Sequence, residues 1–173
     1  APGFVDVHNH SDGWLRKIPN FTPKTLQGFT TEVIMADGIS YAPVDAQTWP
    51  HWVYYMRALN GLQLSDYDGW ESVDDYMRGL DGTTCQNAIT HLPYAHLRTM
   101  AMGWGRAVPD DVQMGEIVAG VERGMSEGAV GLSTGLDYIA ECFSTTDELV
   151  EACAAMAPQH GLYVTHLRYK KGT

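Results

Sequence analysis

Phe4-Val5-Asp6-Val7-His8-Asn9-His10 is the stretch from which the rest of the chain can be read. Its first four residues form a short apolar run interrupted by one acid, the pattern of a buried strand. The run ends in two imidazoles at i and i+2, and alternate residues of a strand face the same side. Two neutral ring nitrogens on one face can chelate a divalent cation. A His-x-His pair also arises by chance, so its weight comes from its place: directly after a strand and beside Asp6 and Asp12.

Downstream, strand and helix signals alternate. Thr22-Pro23 opens a short helix that Gly28 closes, with proline inside the start and glycine past the end. Thr30 to Met35 is rich in β-branched residues and predicts a second strand. The region from Tyr41 to Gly82 is irregular; its aromatics predict one or two helices packed as an insertion at about 44–82. Asn87–Thr90 is the third candidate strand. Pro109-Asp110-Asp111 opens a helix whose Met114, Ile117, Val118, Val121 and Met125 make one apolar stripe. Ala129–Ser133 reads as strand four. Thr145 and Glu148 form a capping box for the next helix, which Gly161 ends, and Leu162–His166 is strand five. Strands alternating with helices imply parallel pairing, because parallel neighbours need a crossover. The fold class expected is α/β.

In such folds reactive side chains project from the C-terminal ends of the strands. Three strand ends carry candidate metal ligands: His8 and His10, then Asp37, then His166. Each has an ordinary alternative. Asp37-Gly38 is a common turn pair, and His166 alone would read as a satisfied core histidine. Their coincidence favours a shared site. Ser133 and Thr134 end strand four with hydroxyls suited to orienting a polar substrate, or simply make a hydroxyl-rich turn. Arg168 lies two residues past His166, where its planar fork could pair with a substrate carboxylate. His91 and His96 flank strand three and read as structural or supporting; His51 and His160 have no such setting.

Length and charge narrow the classes. A chain of 173 residues with 45% hydrophobic, 10% aromatic and 18% charged residues describes a packed domain, not a disordered segment. No stretch approaches a membrane span of about 20 apolar residues. A formal charge of -10 argues against nucleic-acid or anionic-membrane partners. Three widely spaced cysteines imply a reducing compartment, taken as the cytoplasm, and no disulfide framework. The missing initiator methionine and the count of strands suggest a chain incomplete at both ends.

The motifs resemble a known family. Pro2 to His10 is similar to the PGFxDxHxH opening of the amidohydrolase superfamily. Gly28-Phe29-Thr30-Thr31 with Asp37-Gly38-Ile39-Ser40-Tyr41-Ala42-Pro43 resembles the corresponding region of N-acyl-D-amino-acid deacylases. Arg98 to Gly103, Gly131 to Tyr138, and Thr165-His166-Leu167-Arg168 follow in the same order. The resemblance implies a partial (β/α)8 barrel, about strands one to five, over residues 1–173. It implies one or two zinc ions held by His8, His10, Asp37 and His166, with another divalent metal as an alternative. Asp12, Ser133, Thr134, Tyr138 and Arg168 become candidates for binding a small amide substrate. Asp37 falls where the resemblance places a metal-binding cysteine, exchanging a soft thiolate for a hard carboxylate. Ala140 and the stretch Tyr169-Lys170-Lys171 also depart from the pattern. The implied activity is hydrolysis of N-acyl-D-amino acids or related amides. No catalytic base is expected in this chain: the family's base, an Asp ending strand eight, and a His ligand ending strand six would lie beyond Thr173, so the isolated chain should be inactive. Two other readings stand beside it: a cyclic amidase of the hydantoinase or dihydroorotase kind, and a truncated, non-catalytic paralogue that associates, with itself or a partner, through open sheet edges.

Overall fold

The computed structural model describes residues 2–168, so Tyr169, Lys170 and Lys171 lie outside the described residues. Strands β1 (Phe4–Asp6), β2 (Phe29–Ile34) and β3 (Asn87–Thr90) form one parallel sheet in that order. Strands β4 (Leu92–Pro93), β5 (Gly131–Gly135) and β6 (Leu162–His166) form a second, also parallel. The expected third strand forms with its expected bounds, and after His91 the chain adds a short strand, β4, that was not anticipated. Strands β3 and β4 remain one extended path: His91 N–H donates to Ile34 O at 3.1 Å on one side, and Val130 N–H donates to Thr90 O at 2.9 Å on the other. The sheets therefore continue into each other through a single segment. Strand β5 begins at Gly131, two residues later than expected, and its pairing aligns Gly135 with His166 at the functional end.

Helices supply the crossovers. Helices α1 (Asp12–Lys17) and α2 (Thr22–Thr25) join β1 to β2, and the insertion places α3 (Trp49–Met56) and α4 (Val73–Arg78) before β3. Helices α5 (Tyr94–Met102) and α6 (Asp111–Ser126) precede β5, and α7 (Thr146–Met156) precedes β6. The expected caps form. Asp110 accepts from Gln113 N–H at the start of α6, and Thr145 from Glu148 N–H at the start of α7. Ile117 and Val121 of the apolar stripe are fully buried against Leu92, Tyr94 and Leu132. Gly120 and Gly124 bring α6 onto Leu97 and Leu92, where a larger side chain would collide.

Two helices were not anticipated. Helix α1 is short and follows directly on the histidine motif. Helix α5 buries Tyr94, Ala95, His96, Leu97, Arg98 and Thr99 in succession, so it has no polar face from which a helical period could be read. A second core gathers Trp52, Tyr41, Tyr76, Trp70 and Ile34 beneath the insertion. The outermost strands are less covered: Phe4 and Val5 of β1, and Leu162 and Tyr163 of β6, stay exposed. No helix among the described residues is long and apolar enough to cross a membrane.

Candidate metal centre

Asp37 sits in a loop held from all sides. Met35 N–H and the Ser40 hydroxyl both donate to Asp12 Oδ1, at 2.9 and 2.5 Å. The Ser133 hydroxyl donates to Met35 O at 2.7 Å and accepts from Gly38 N–H at 3.0 Å. Ser40 N–H donates to His96 Nε2 at 3.0 Å, so Nδ1 carries the proton and donates to Pro43 O. Met35, Asp37 and Gly38 take φ values of 59°, 61° and 73°. A non-glycine residue in that left-handed region costs about 1–2 kcal/mol, and here Asp12, Ser133 and His96 together fix it.

This loop aims one carboxylate at three imidazoles. His8 Nε2 and His166 Nε2 lie 3.3 and 3.0 Å from Asp37 Oδ1, and His10 Nε2 lies 3.1 Å from Oδ2. The His8 and His166 rings stack at 5.6 Å. Ligand atoms of His8, Asp37 and His166 lie within 4.8 Å of one another. Three of the four residues expected to hold a metal, His8, Asp37 and His166, thus form one group, and His10 approaches the other oxygen of Asp37, although β1, β2 and β6 deliver them separately.

Electrostatics follow from that geometry. Burial works against the Asp37 charge, but the hydrogen bond from His10 and the fields of His8, His166 and His10 outweigh it and hold the carboxyl below its ordinary range. The hydrogen bond to Asp37 raises His10 against the opposing effect of burial, with Asp12 and the Asn60 side chain adding to the rise. Asp37 Oδ2 is buried with no aligned hydrogen-bond donor among the described residues. Three nitrogens and one such oxygen make a donor set that suits tetrahedral zinc; the residues fit the metal that the resemblance implies.

Several expected substrate contacts have other occupations. Asp12 is buried beneath the Asp37 loop, where burial raises its carboxyl despite the Ser40 hydrogen bond. Ser133 is likewise engaged with that loop. Thr134 is buried and its hydroxyl contacts Thr165 and Tyr163. Arg168 donates to the carbonyls of Cys142 and Ser144. These side chains position the site from behind, because a buried polar group must find its partner inside the chain. Tyr138 alone of the expected substrate residues borders the cluster, its ring 5.7 Å from that of His166. Burial first, then Asp37 and Asp137, push its phenol up to about 12. His91 and His96 have supporting positions. His96 is fully buried, and burial lowers it to about 3; burial and His8 lower His91.

Two acids escaped the sequence reading. Asp137 Oδ1 stands 3.5 Å from His166 Nδ1, within ion-pair reach of the imidazole but not in an aligned hydrogen bond. Glu141 is fully buried, accepts from Gly135 N–H at 2.6 Å, and lies so close to Gly38 that a side chain there would strike it. Burial pushes its carboxyl well above the usual range, against the Gly135 hydrogen bond and Arg98. Asp137 follows Gly135-Leu136 in the strand-four motif, a neighbourhood that could have flagged it; nothing in the sequence marks Glu141 as buried.

No family model matches the chain. Among curated relatives, it is 33% identical over 172 residues to a D-aminoacylase of Alcaligenes xylosoxydans xylosoxydans, covering 97% of this chain and 34% of that protein. Among solved structures, a D-aminoacylase described as defining a novel subset of amidohydrolases superposes with a TM-score of 0.81 at 31% identity, over 98% of this chain and 35% of that one. An N-acyl-D-glutamate deacylase from Bordetella bronchiseptica, complexed with zinc and a phosphonate inhibitor, gives the same TM-score at 29% identity, over 98% and 35%. The chain thus spans about a third of the length of the proteins it matches.

Proposed function

We infer that this chain, a homologue of the D-aminoacylases over nearly its whole length, is part of a zinc-dependent amidohydrolase that cleaves the amide bond of N-acyl-D-amino acids. The observation that carries the reading is the convergence of His8, His10 and His166 on the Asp37 carboxylate. Residues 1–173 are read as the first five strands of a (β/α)8 barrel, the β3–β4 segment counting as one, with the insertion at about 44–82 beside the mouth. The exposed edges of β1 and β6 are then the places where further strands, or another copy, would pair. Three cysteines without disulfides fit a reducing, cytoplasmic setting.

In this reading His8, His10, Asp37 and His166 hold zinc. Zinc, when bound, supplies a Lewis acid that polarises an amide carbonyl and makes nearby water acidic enough to attack at neutral pH. The chain's own residues do the positioning. Asp12, Ser133 and His96 fix the Asp37 backbone. Asp137 sets the orientation of the His166 ring, and Tyr138 shields its face from water.

The test has two parts. Zinc titration of the purified chain, followed by calorimetry, should show uptake of one or two equivalents. The full-length gene product should release free amine from N-acetyl-D-amino acids and not from their L-enantiomers. Absence of both zinc uptake and D-specific hydrolysis would overturn the reading.

A further inference from the structure

The insertion meets the histidine motif at one turn, Asn60-Gly61-Leu62. Asn60 N–H donates to Met56 O at 2.8 Å, at the end of α3. Leu62 N–H donates to the Tyr41 hydroxyl at 2.9 Å, and Tyr41 is fully buried four residues past Asp37. Both sides of the turn are thereby tied to fixed backbone. From the opposite side α1 presses on the same turn. Gly13, three residues past His10, lies so close to Asn60 O and Leu62 that a side chain there would collide. Gly61 takes a φ of 90° against the Trp14 ring, and Lys17 Nζ donates to Gly61 O at 3.1 Å. Helix α1 starts at Asp12, so a short stretch of backbone fixes the turn relative to His10.

Within this frame the Asn60 side chain is fully buried, and neither Oδ1 nor Nδ2 has an aligned partner among the described residues. A buried amide with both ends unpaired is costly and uncommon. The group it stands beside is His10, whose protonated ring it helps to stabilise. A neighbour that favours the protonated imidazole presents an acceptor to it, and in an amide that is the oxygen. His10 Nε2 is turned to Asp37 Oδ2 at 3.1 Å. The ring nitrogen left for Asn60 is therefore Nδ1. A proton held on Nδ1 is the tautomer in which Nε2 keeps a lone pair for a metal.

We propose that Asn60 is a positioning residue of the metal centre: its side-chain oxygen accepts from His10 Nδ1–H and turns Nε2 toward the metal, which makes the insertion a working part of the site. The proposal rests on the metal-dependent reading above. The test uses the full-length gene product, isotope-labelled at histidine for NMR, with the His10 signal assigned by its loss in His10→Gln. In the wild type His10 should carry a slowly exchanging Nδ1 proton, with or without zinc. Asn60→Leu should lose that protection and weaken zinc binding about 10–100-fold, measured by competition with a chelator. Asn60→Asp, which keeps the acceptor oxygen, should retain the proton signal. Leu59→Ala, at the exposed neighbouring position, should leave both readouts unchanged. A wild-type ring with no such proton overturns the proposal without any variant having to fold. Asn60→Leu equal to the wild type in either readout overturns it as well. Failure of the wild type to take up zinc overturns the metal reading instead, while the His10 proton still decides the Asn60 contact.

Discussion

Two groups of buried charges lie close together in this molecule and are built on opposite plans. Arg98 is fully enclosed and every part of its guanidinium is engaged: Nε donates to Glu148 at 2.9 Å, Nη1 to Gly105 O and Ala140 O, and Nη2 to Ala107 O at 2.7 Å. Glu148 also accepts from the Tyr94 hydroxyl at 2.5 Å. Asp37, by contrast, faces three imidazoles and keeps one oxygen without an aligned donor. A closed set of partners makes a structural pin. An open, convergent set makes a place for something to bind. Burial alone does not separate the two; the state of the partners does.

That contrast can be broken experimentally. The largest effect should come from the closed pair. Removing one partner of a buried, hydrogen-bonded ion pair costs about 3–5 kcal/mol, so Arg98→Ala should lower the urea-unfolding free energy by that much. A smaller loss in Arg98→Met/Glu148→Leu than in Arg98→Ala would show that most of the cost is the orphaned Glu148. Next comes the open cluster. Loss of an outer partner of a ligand costs about 10–100-fold in metal affinity, so losing the ligand itself should cost more: Asp37→Ala is expected to weaken zinc binding beyond 100-fold, about 2.7 kcal/mol. Asp137→Ala should fall inside the 10–100-fold range, measured by competition with a chelator. Equal effects at the two positions would place Asp137 among the ligands.

Acid should separate the regions further. His96 titrates at 6.5 when unfolded and is lowered to about 3 when folded. Its folded pKa is depressed, so the unfolded chain takes the proton first as pH falls. Stability is untouched above 6.5 and erodes between 6.5 and 3, by about 1.4 kcal/mol for each unit. His10 is raised, so its contribution is fully present below 6.5 and is lost as pH rises through the folded value. Asp37 is lowered, so its share is present above 3.8 and is lost as pH falls through its folded value. Metal-free His96→Gln should show a flatter acid limb in urea midpoints from pH 6.5 to 4, and His10→Gln should lose the decline in stability that the wild type shows as pH rises above 6.5. The smallest effect belongs to exposed charge. Arg78 and Asp74 pair one helical turn apart at the surface, and Asp74→Ala should change stability by less than about 0.5 kcal/mol.

How much of this the sequence discloses depends on whether the signal is local. The capping boxes of α6 and α7 and the apolar stripe of α6 are short-range patterns, and the chain adopts them. The four residues expected to hold metal could be marked because each ends a strand. The residues that hold them could not. Asp12 and Ser133 look like mouth residues in one dimension but turn inward, because their partners, Met35 and Ser40 or Gly38, are brought to them by β2. Arg98 and Glu148 are 50 positions apart and read as surface charges until α5 and α7 meet. Helix α5 left no period because it has no wet side.

The left-handed turn at position 37 also limits which residues can occur there. Aspartate and asparagine tolerate that backbone several-fold better than most residues, and β-branched side chains are poorly accommodated. A saturation library at this codon, sorted only for folded protein, should therefore return mostly glycine, asparagine and aspartate. Sorting the survivors for zinc should leave the acid. An aspartate in place of the cysteine that the resemblance implies here would do two things in one step: ease the main chain and harden the donor, joining a conformational choice to a change of inorganic chemistry.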